Sequence, residues 1–289
     1  MTDNQKTQDG TLHIDIRDRT VKSLFGKQKV LLRDIVLSID PGEMVLVLGG
    51  SGAGKTTFIN AVTGYEKANA VVKEGDTDVY ENYEQMKYQF GFVPQQDLLR
   101  GDDNVEMTLL NAAELRMPKR LSSLERNMRV EEVLYLFGLS KLKQHRVDKL
   151  SGGQKKRLSV AVEFIADPSI FILDEPDSGL DGVMARDLME QLREIANESK
   201  IVIVITHTPD RCIELFDKVI VLAKDKDETG RLAFEGSIEE ARAFFGTDSM
   251  ERIVKAVNGI REGGDGLADH YIEKFRTYRQ AEKEAAHEA

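Results

Sequence analysis

Cysteine is almost absent from this sequence: Cys212 stands alone among 289 residues. One thiol excludes an internal disulfide and a cysteine-built zinc site, which leaves a small buried hydrophobe as its reading and a reducing compartment as its setting. Long apolar runs are missing too. The longest, such as Ile201 to Ile205 and Val219 to Ala223, fall far short of the ~20 residues that a membrane helix needs. The first ten residues, Met1 to Gly10, are polar and lack the apolar stretch of a secretory signal, so a disordered tail and a chain that stays inside the cell are expected. Positive charge is in deficit, with 40 Lys and Arg against 50 Asp and Glu and a net charge of −10. Holding DNA, RNA or anionic lipid by general electrostatics takes clustered Lys and Arg that displace counterions, so any anionic ligand must be held locally. There is no repeat of 20–50 residues and no low-complexity linker.

What is present reads as strands alternating with helices. Leu12 to Ile16 alternates apolar and polar residues like a half-buried strand, and a second β-rich stretch runs from Val30 to Ile39 before the turn pair Pro41-Gly42. Met44 to Leu48 is continuously apolar, the mark of a strand buried on both faces. Strand signals return at Ile170–Leu173, Ile201–Ile205 and Val219–Leu222, separated by helical segments, which indicates a parallel sheet covered on both faces. Between Gly101 and Gly138 the pattern turns helical: Val105, Leu109, Ala112 and Leu115 recur at helical spacing, and Ser122-Ser-Leu-Glu125 has the form of a capping box. A second capping box, Ser237 to Glu240, lies near the end. Leu267, Tyr271, Phe275 and Tyr278 then share one helical face, read as packing rather than as a cofactor site.

Directly after the buried strand comes Gly49-Gly50-Ser51-Gly52-Ala53-Gly54-Lys55-Thr56-Thr57, which satisfies G-x-x-x-x-G-K-[ST] and leads into a helix. Glycines let the backbone wrap phosphates closely, and the N–H groups and helix dipole supply partial positive charge. Lys55 reaches the terminal phosphates and Thr56 can ligate Mg²⁺. A chance glycine turn is the bland alternative. The strand Ile170 to Leu173 then delivers Asp174 and Glu175 at its C-terminal end, where ligands sit in open α/β sheets. Asp174 would hold Mg²⁺ through water, and Glu175 would act as general base on the attacking water.

With Leu150-Ser151-Gly-Gly153-Gln154 added, the chain resembles the ATP-binding cassette (ABC) family over about Leu12 to Phe245. Order and spacing fit a single cassette, with 96 residues from Lys55 to Ser151, 23 on to Asp174 and 33 more to His207. The resemblance implies an α/β P-loop NTPase fold with a mostly parallel central sheet, an N-terminal antiparallel β-subdomain and an inserted α-helical subdomain. The domain would span 11–246, with the helical insert at about 97–150 and a C-terminal helical extension over 247–289. The family likeness also implies that Ser151 and Gly153, with Asp181 of Ser178-Gly-Leu-Asp181, close on the ATP of a second cassette in a head-to-tail dimer. His207 matches the switch histidine that touches the γ-phosphate. Gln95 matches the glutamine that touches Mg²⁺ and the attacking water, with Gln96 as an adjacent alternative. Phe25 sits where an aromatic stacks on adenine, and a core phenylalanine fits the position equally.

Asp177 departs from the family, which has threonine there, and is expected to point away from the phosphates. The basic run Lys155-Lys-Arg157 reads as a solvated helix face. A finer likeness to G-subfamily (White and pleiotropic drug resistance type) cassettes rests on Gly42-Glu-Met-Val, Gly52 to Thr57, Ser151 to Ser159, Ser178 to Asp181, Gly230-Arg-Leu-Ala-Phe-Glu-Gly236 and Ala243-Phe-Phe-Gly246. It implies an ATPase that takes ATP and Mg²⁺ on the cytoplasmic face of a membrane and drives a permease on a separate chain or in the uncut protein, leaning toward export. The alternative is a non-transport ABC ATPase acting on ribosomes or nucleic acid. Only one phosphate loop is present, 96 residues leave no room for a long coiled coil before Ser151, and the charge is acidic, all of which disfavour it. A scaffold without turnover is disfavoured because Lys55, Asp174, Glu175 and His207 are all present.

Overall fold

The structure, a computed structural model, describes residues 10–22 and 28–288. Nine of the ten residues expected to form the disordered tail, and Phe25, lie outside the described residues. The described chain divides into two compact units, one comprising the described residues of 1–41 with 45–83 and 208–289, the other 42–44 with 84–207.

The first unit is built on β1 (Leu12–Lys22) and β2 (Gln28–Ile39), paired antiparallel from Leu12 opposite Ile39, with a bulge at Arg19/Thr20. Alternation in β1 sends Leu12, Ile14 and Ile16 into the core at 0–1% exposure, and the strand then continues beyond the segment its alternation marked. All five residues of β3 (Met44–Leu48) are buried, as a continuous apolar run requires. After α1 (Lys55–Val62), the hairpin of β4 (Asn69–Glu74) and β5 (Thr77–Asp78) adds to the free edge of β1. The buried Tyr80 hydroxyl donates to the Ala61 carbonyl at 2.8 Å in the last turn of α1, and burial raises its pKa.

In the second unit the short helix α2 (Tyr83–Met86), which begins at the unit boundary, leads to β6 (Phe90–Val93). The helical insert holds α3 (Val105–Arg116) and α4 (Ser123–Leu136), followed by α5 (Gly152–Phe164), β7 (Ile170–Asp174), α6 (Gly182–Asn197) and β8 (Ile201–Ile205). Strands β6, β7 and β8 pair in parallel, in register from Phe90 through Ile170 to Ile201. Ser122 forms the capping box expected of it, and Asn104 caps α3. Leu115 differs from its reading. Val105, Leu109 and Ala112 are buried, whereas Leu115 is 80% exposed, because at 3.6 residues per turn a position ten residues past Val105 has rotated off the covered face, which continues through Ala113 instead. Phe164 packs on Phe137 and Phe171 at 5.8 and 5.5 Å. The Arg129 guanidinium lies over the Phe164 ring and donates to the last carbonyls of α5.

Back in the first unit, β9 (Lys218–Lys224) pairs antiparallel with β10 (Gly230–Ser237) and in parallel with β3, and β10 joins β2 in parallel. The helices α7 (Ile238–Phe245), α8 (Met250–Val257) and α9 (Ala268–Glu288) close this unit. The aromatic stripe of α9 does pack. Phe275 is 3% exposed, 5.3 Å from Phe234, and Tyr271 stands 4.5 Å from Phe245, while Leu267 and Tyr278 remain partly in solvent. Ser249 caps α8, its hydroxyl accepting from the Arg252 N–H and donating to Asp210 at 2.6 Å.

Candidate active site

The phosphate-loop residues Gly49 to Thr57 join β3 to α1 within the first unit. Gly54 occupies the N-cap of α1 at φ 96°, where a Cβ would be both strained and only 2.6 Å from Leu32. With no side-chain cap on α1, the N–H groups of its first turn remain donors for an anion. Ser51, Gly52 and Thr56 are exposed, Ala53 is buried against the body, and Thr57 is half-buried. The Lys55 ammonium donates to the Gly49 and Gly50 carbonyls at 2.6 and 3.1 Å, so the cation is held over the loop's own backbone. Sequence reasoning missed the loop's neighbour. A Cβ at Gly50 would fall 1.7 Å from Asn258 Oδ1, so the residue after α8 packs directly on the loop. Beside it, Lys224 pairs with Glu262 at 3.0 Å. The only sequence signal for this was the glycine at position 50, one of two that the loop motif does not demand.

The second unit brings three of the expected catalytic residues together. Glu175 follows β7 and takes φ 50°, a left-handed conformation that costs a non-glycine residue about 1–2 kcal/mol. Its N–H is held by the Ile205 carbonyl at 2.8 Å, which aims the side chain. The Gln95 amide donates to Glu175 Oε2 at 2.8 Å, and His207 Nε2 lies 2.7 Å from Oε1. The Glu175 side chain is 16% exposed and that of His207 65%, so a largely covered carboxyl group meets an exposed imidazole. Backbone strain held by surrounding structure at a polar cluster is a mark of function. Gln95, not Gln96, is the glutamine in this cluster. Asp174, half-buried, ends β7 opposite Ile205 of β8. Asp177 accepts from the Thr206 hydroxyl at 2.7 Å, so the unexpected acid is engaged with the residue before His207.

Ser151 caps α5 in a full capping box with Gln154: its hydroxyl accepts from the Gln154 N–H, and its own N–H donates to the Gln154 side chain at 2.9 Å. Gly153 is buried where a Cβ would approach Met184 Sδ to 2.7 Å, which packs the start of α5 on α6. Asp181 caps α6 through the Val183 and Met184 N–H groups. The run Lys155 to Arg157 is not the solvated face expected of it. Lys156 is 4% exposed, donates to the Gln95 carbonyl at 2.9 Å and pairs with Asp97 at 3.0 Å. Its position, one turn beyond the glycines, turns it inward. A charge count along the sequence cannot see that.

Comparison with known proteins places these parts. The family model described as "ABC transporter" matches residues 32–178. An ABC transporter ATP-binding/permease protein of Mycobacterium tuberculosis is 39% identical over 231 residues, covering 79% of this chain and 26% of that protein. ABC transporter G family member 28 of Arabidopsis thaliana is 35% identical over 243 residues, covering 81% of this chain and 21% of its own. The chain therefore spans about a quarter or less of the length of these curated relatives. Among solved structures, cbiO1 of Clostridium perfringens, part of the ABC transporter complex cbiONQ, superposes with a TM-score of 0.70 at 26% identity, over 81% of this chain and 91% of that one.

Proposed function

The chain belongs to the ABC transporter family, as a cassette of the G type, and from that premise we propose that it binds and hydrolyses ATP to drive a membrane permease in the export direction. The observation that carries the reading is the Gln95–Glu175–His207 cluster, because a phosphate loop alone explains binding and not turnover. Glu175 accepts the proton of the attacking water, Gln95 orients that water and the carboxylate, and His207 contacts the γ-phosphate. Lys55 and the backbone N–H groups from Gly49 to Thr57 hold the phosphates. Phe25 stacks on the adenine in this reading.

Mg²⁺ fits the chemistry of the donors. It takes oxygen ligands and keeps water and phosphate oxygens in its shell, so few protein groups are needed. Among the described residues no three His, Cys, Asp or Glu side chains converge. The Thr56 hydroxyl, the Asp174 carboxylate and the Gln95 amide oxygen are hard donors of the right kind. When bound, the ion neutralises charge on the transferred phosphoryl group.

The partner is a second cassette, identical or not, that receives Ser151, Gly153 and Asp181 on its ATP. The permease docks on the helical insert and lies on a separate chain or in a longer form of this one. A cavity of about 560 Å³ there is lined by Leu98, Leu99, Thr108, Leu115, Arg116 and Glu163, and Leu98 and Leu115 are about 80% exposed. Its Leu98 lies three residues beyond Gln95, so a partner pressing there acts on the chain that holds Glu175. Among the described residues no helix is long and apolar enough to cross a membrane, and we place the cassette at the cytoplasmic face. The test is ATP hydrolysis measured against protein concentration. Specific activity should rise with concentration as cassettes pair, and a specific activity that stays constant to high dilution would overturn the dimer.

A further inference from the structure

Lysine is almost never fully buried unless its charge is paired. Lys156 is buried with two partners: the Asp97 carboxylate at 3.0 Å and the main-chain carbonyl of Gln95 at 2.9 Å. An ion pair of this kind is weak support for stability in itself, because desolvating both charges offsets most of their attraction. Its second bond is more telling. The residue whose carbonyl Lys156 holds is the one whose side chain donates to Glu175 at 2.8 Å. Lys156 in turn stands near the start of α5, the helix that Ser151 caps.

We propose that Lys156 is a positioning residue for ATP hydrolysis, fixing the backbone of Gln95 to the first turns of α5 and so setting where the Gln95 amide holds the Glu175 carboxylate. Ser151, α5, Lys156, Gln95 and Glu175 then form one chain of contacts inside the second unit, with bonds of 2.9 and 2.8 Å as its last two links. A displacement of the Ser151 end carries to the base. Asp97 pairs with the ammonium at 3.0 Å and aims it. The inference rests on the reading of Glu175 as general base given above.

The experiment compares steady-state ATP hydrolysis and nucleotide binding by the intact chain and by Lys156→Met, Gln95→Ala, the double variant and Glu175→Gln. Misplacing a catalytic group by about 1 Å can cost ~10²-fold, so Lys156→Met should lower kcat by about 10–100-fold with KM for ATP changed less than about threefold. The double variant should be no slower than Gln95→Ala alone, because Lys156 acts through Gln95. A merely structural lysine would instead lower the melting temperature and multiply its effect with that of Gln95→Ala. That multiplication, or a wild-type kcat in Lys156→Met while Glu175→Gln is inactive, overturns the proposal alone. A Glu175→Gln protein with wild-type turnover overturns the reading beneath it. Should Lys156→Met not fold, Lys156→Gln, neutral and one bond shorter, is read by the same outcomes.

Discussion

The two units of this protein build sites in opposite ways. In the first, the phosphate loop is made of backbone: the N–H groups at the start of α1 carry no side-chain cap and the glycines give room, with Lys55 as the one charge. In the second, the cluster is made of side chains from distant parts of the chain, where Gln95 and His207 meet a single carboxylate on a strained backbone. The difference teaches that grip and chemistry are separable here. Backbone donors recognise any polyphosphate whatever its fate, whereas a base needs its pKa, aim and solvent set by neighbours.

That separation can be broken by substitution. The largest effect is expected from Glu175→Gln, which should lose about 10²–10⁴-fold in kcat while retaining ATP binding and accumulating an ATP-bound dimer on sizing chromatography. Its counterpart, Lys55→Ala, should lose about 10²–10³-fold in turnover through lost binding, seen as failure to retain a fluorescent nucleotide. If both variants lose binding equally, the separation of grip from chemistry is wrong. Next comes His207→Ala, expected to lower kcat by about 10–100-fold with little change in thermal stability, since the imidazole is largely exposed and its loss leaves no cavity.

A smaller change sharpens the picture of the second unit. Ser151→Ala removes the cap of α5 and should cost about 1 kcal/mol of stability in a denaturant melt, while disturbing dimer-dependent activity more than binding. The smallest concerns Glu163, whose carboxyl burial raises above its ordinary value of 4.5 despite Arg116 at 2.6 Å. A raised folded pKa means that its contribution to stability is fully present below the unfolded value and is lost as pH rises through the folded one. The melting temperature of Glu163→Gln should therefore gain on that of the wild type as pH rises above the ordinary carboxyl value of 4.5. An unchanged difference would place Glu163 in a wetter setting.

The local pattern carried much of the fold. The apolar run of β3, the alternation of β1 and the capping boxes at Ser122 and Ser237 were all legible, because each is decided by residues within a few positions of one another. The reading of Lys155 to Arg157 failed at Lys156 because burial of a charge depends on a partner 59 positions away, at Asp97. Leu115 failed for another reason: successive steps of three and four residues accumulate rotation, so a position ten past Val105 leaves the face that Ala113 continues. Asn258 against Gly50 had no sequence signal beyond that glycine, since asparagine at a helix end is common and its meeting with the loop is made by packing.

By itself, then, the sequence determined what the protein handles. Glycine spacing before a lysine, between an apolar strand and a helix, marks a phosphate loop, and the proposed base and metal ligand are two acids after an apolar strand, because those patterns are written in short contiguous segments. Only the tertiary structure decided how the base is held. The strained φ of Glu175, the hold of the Gln95 amide on its carboxylate and the inward turn of Lys156 all follow from groups far apart in sequence competing for one half-buried carboxylate and one buried ammonium, whose desolvation had to be met by whichever partners the fold brought within reach.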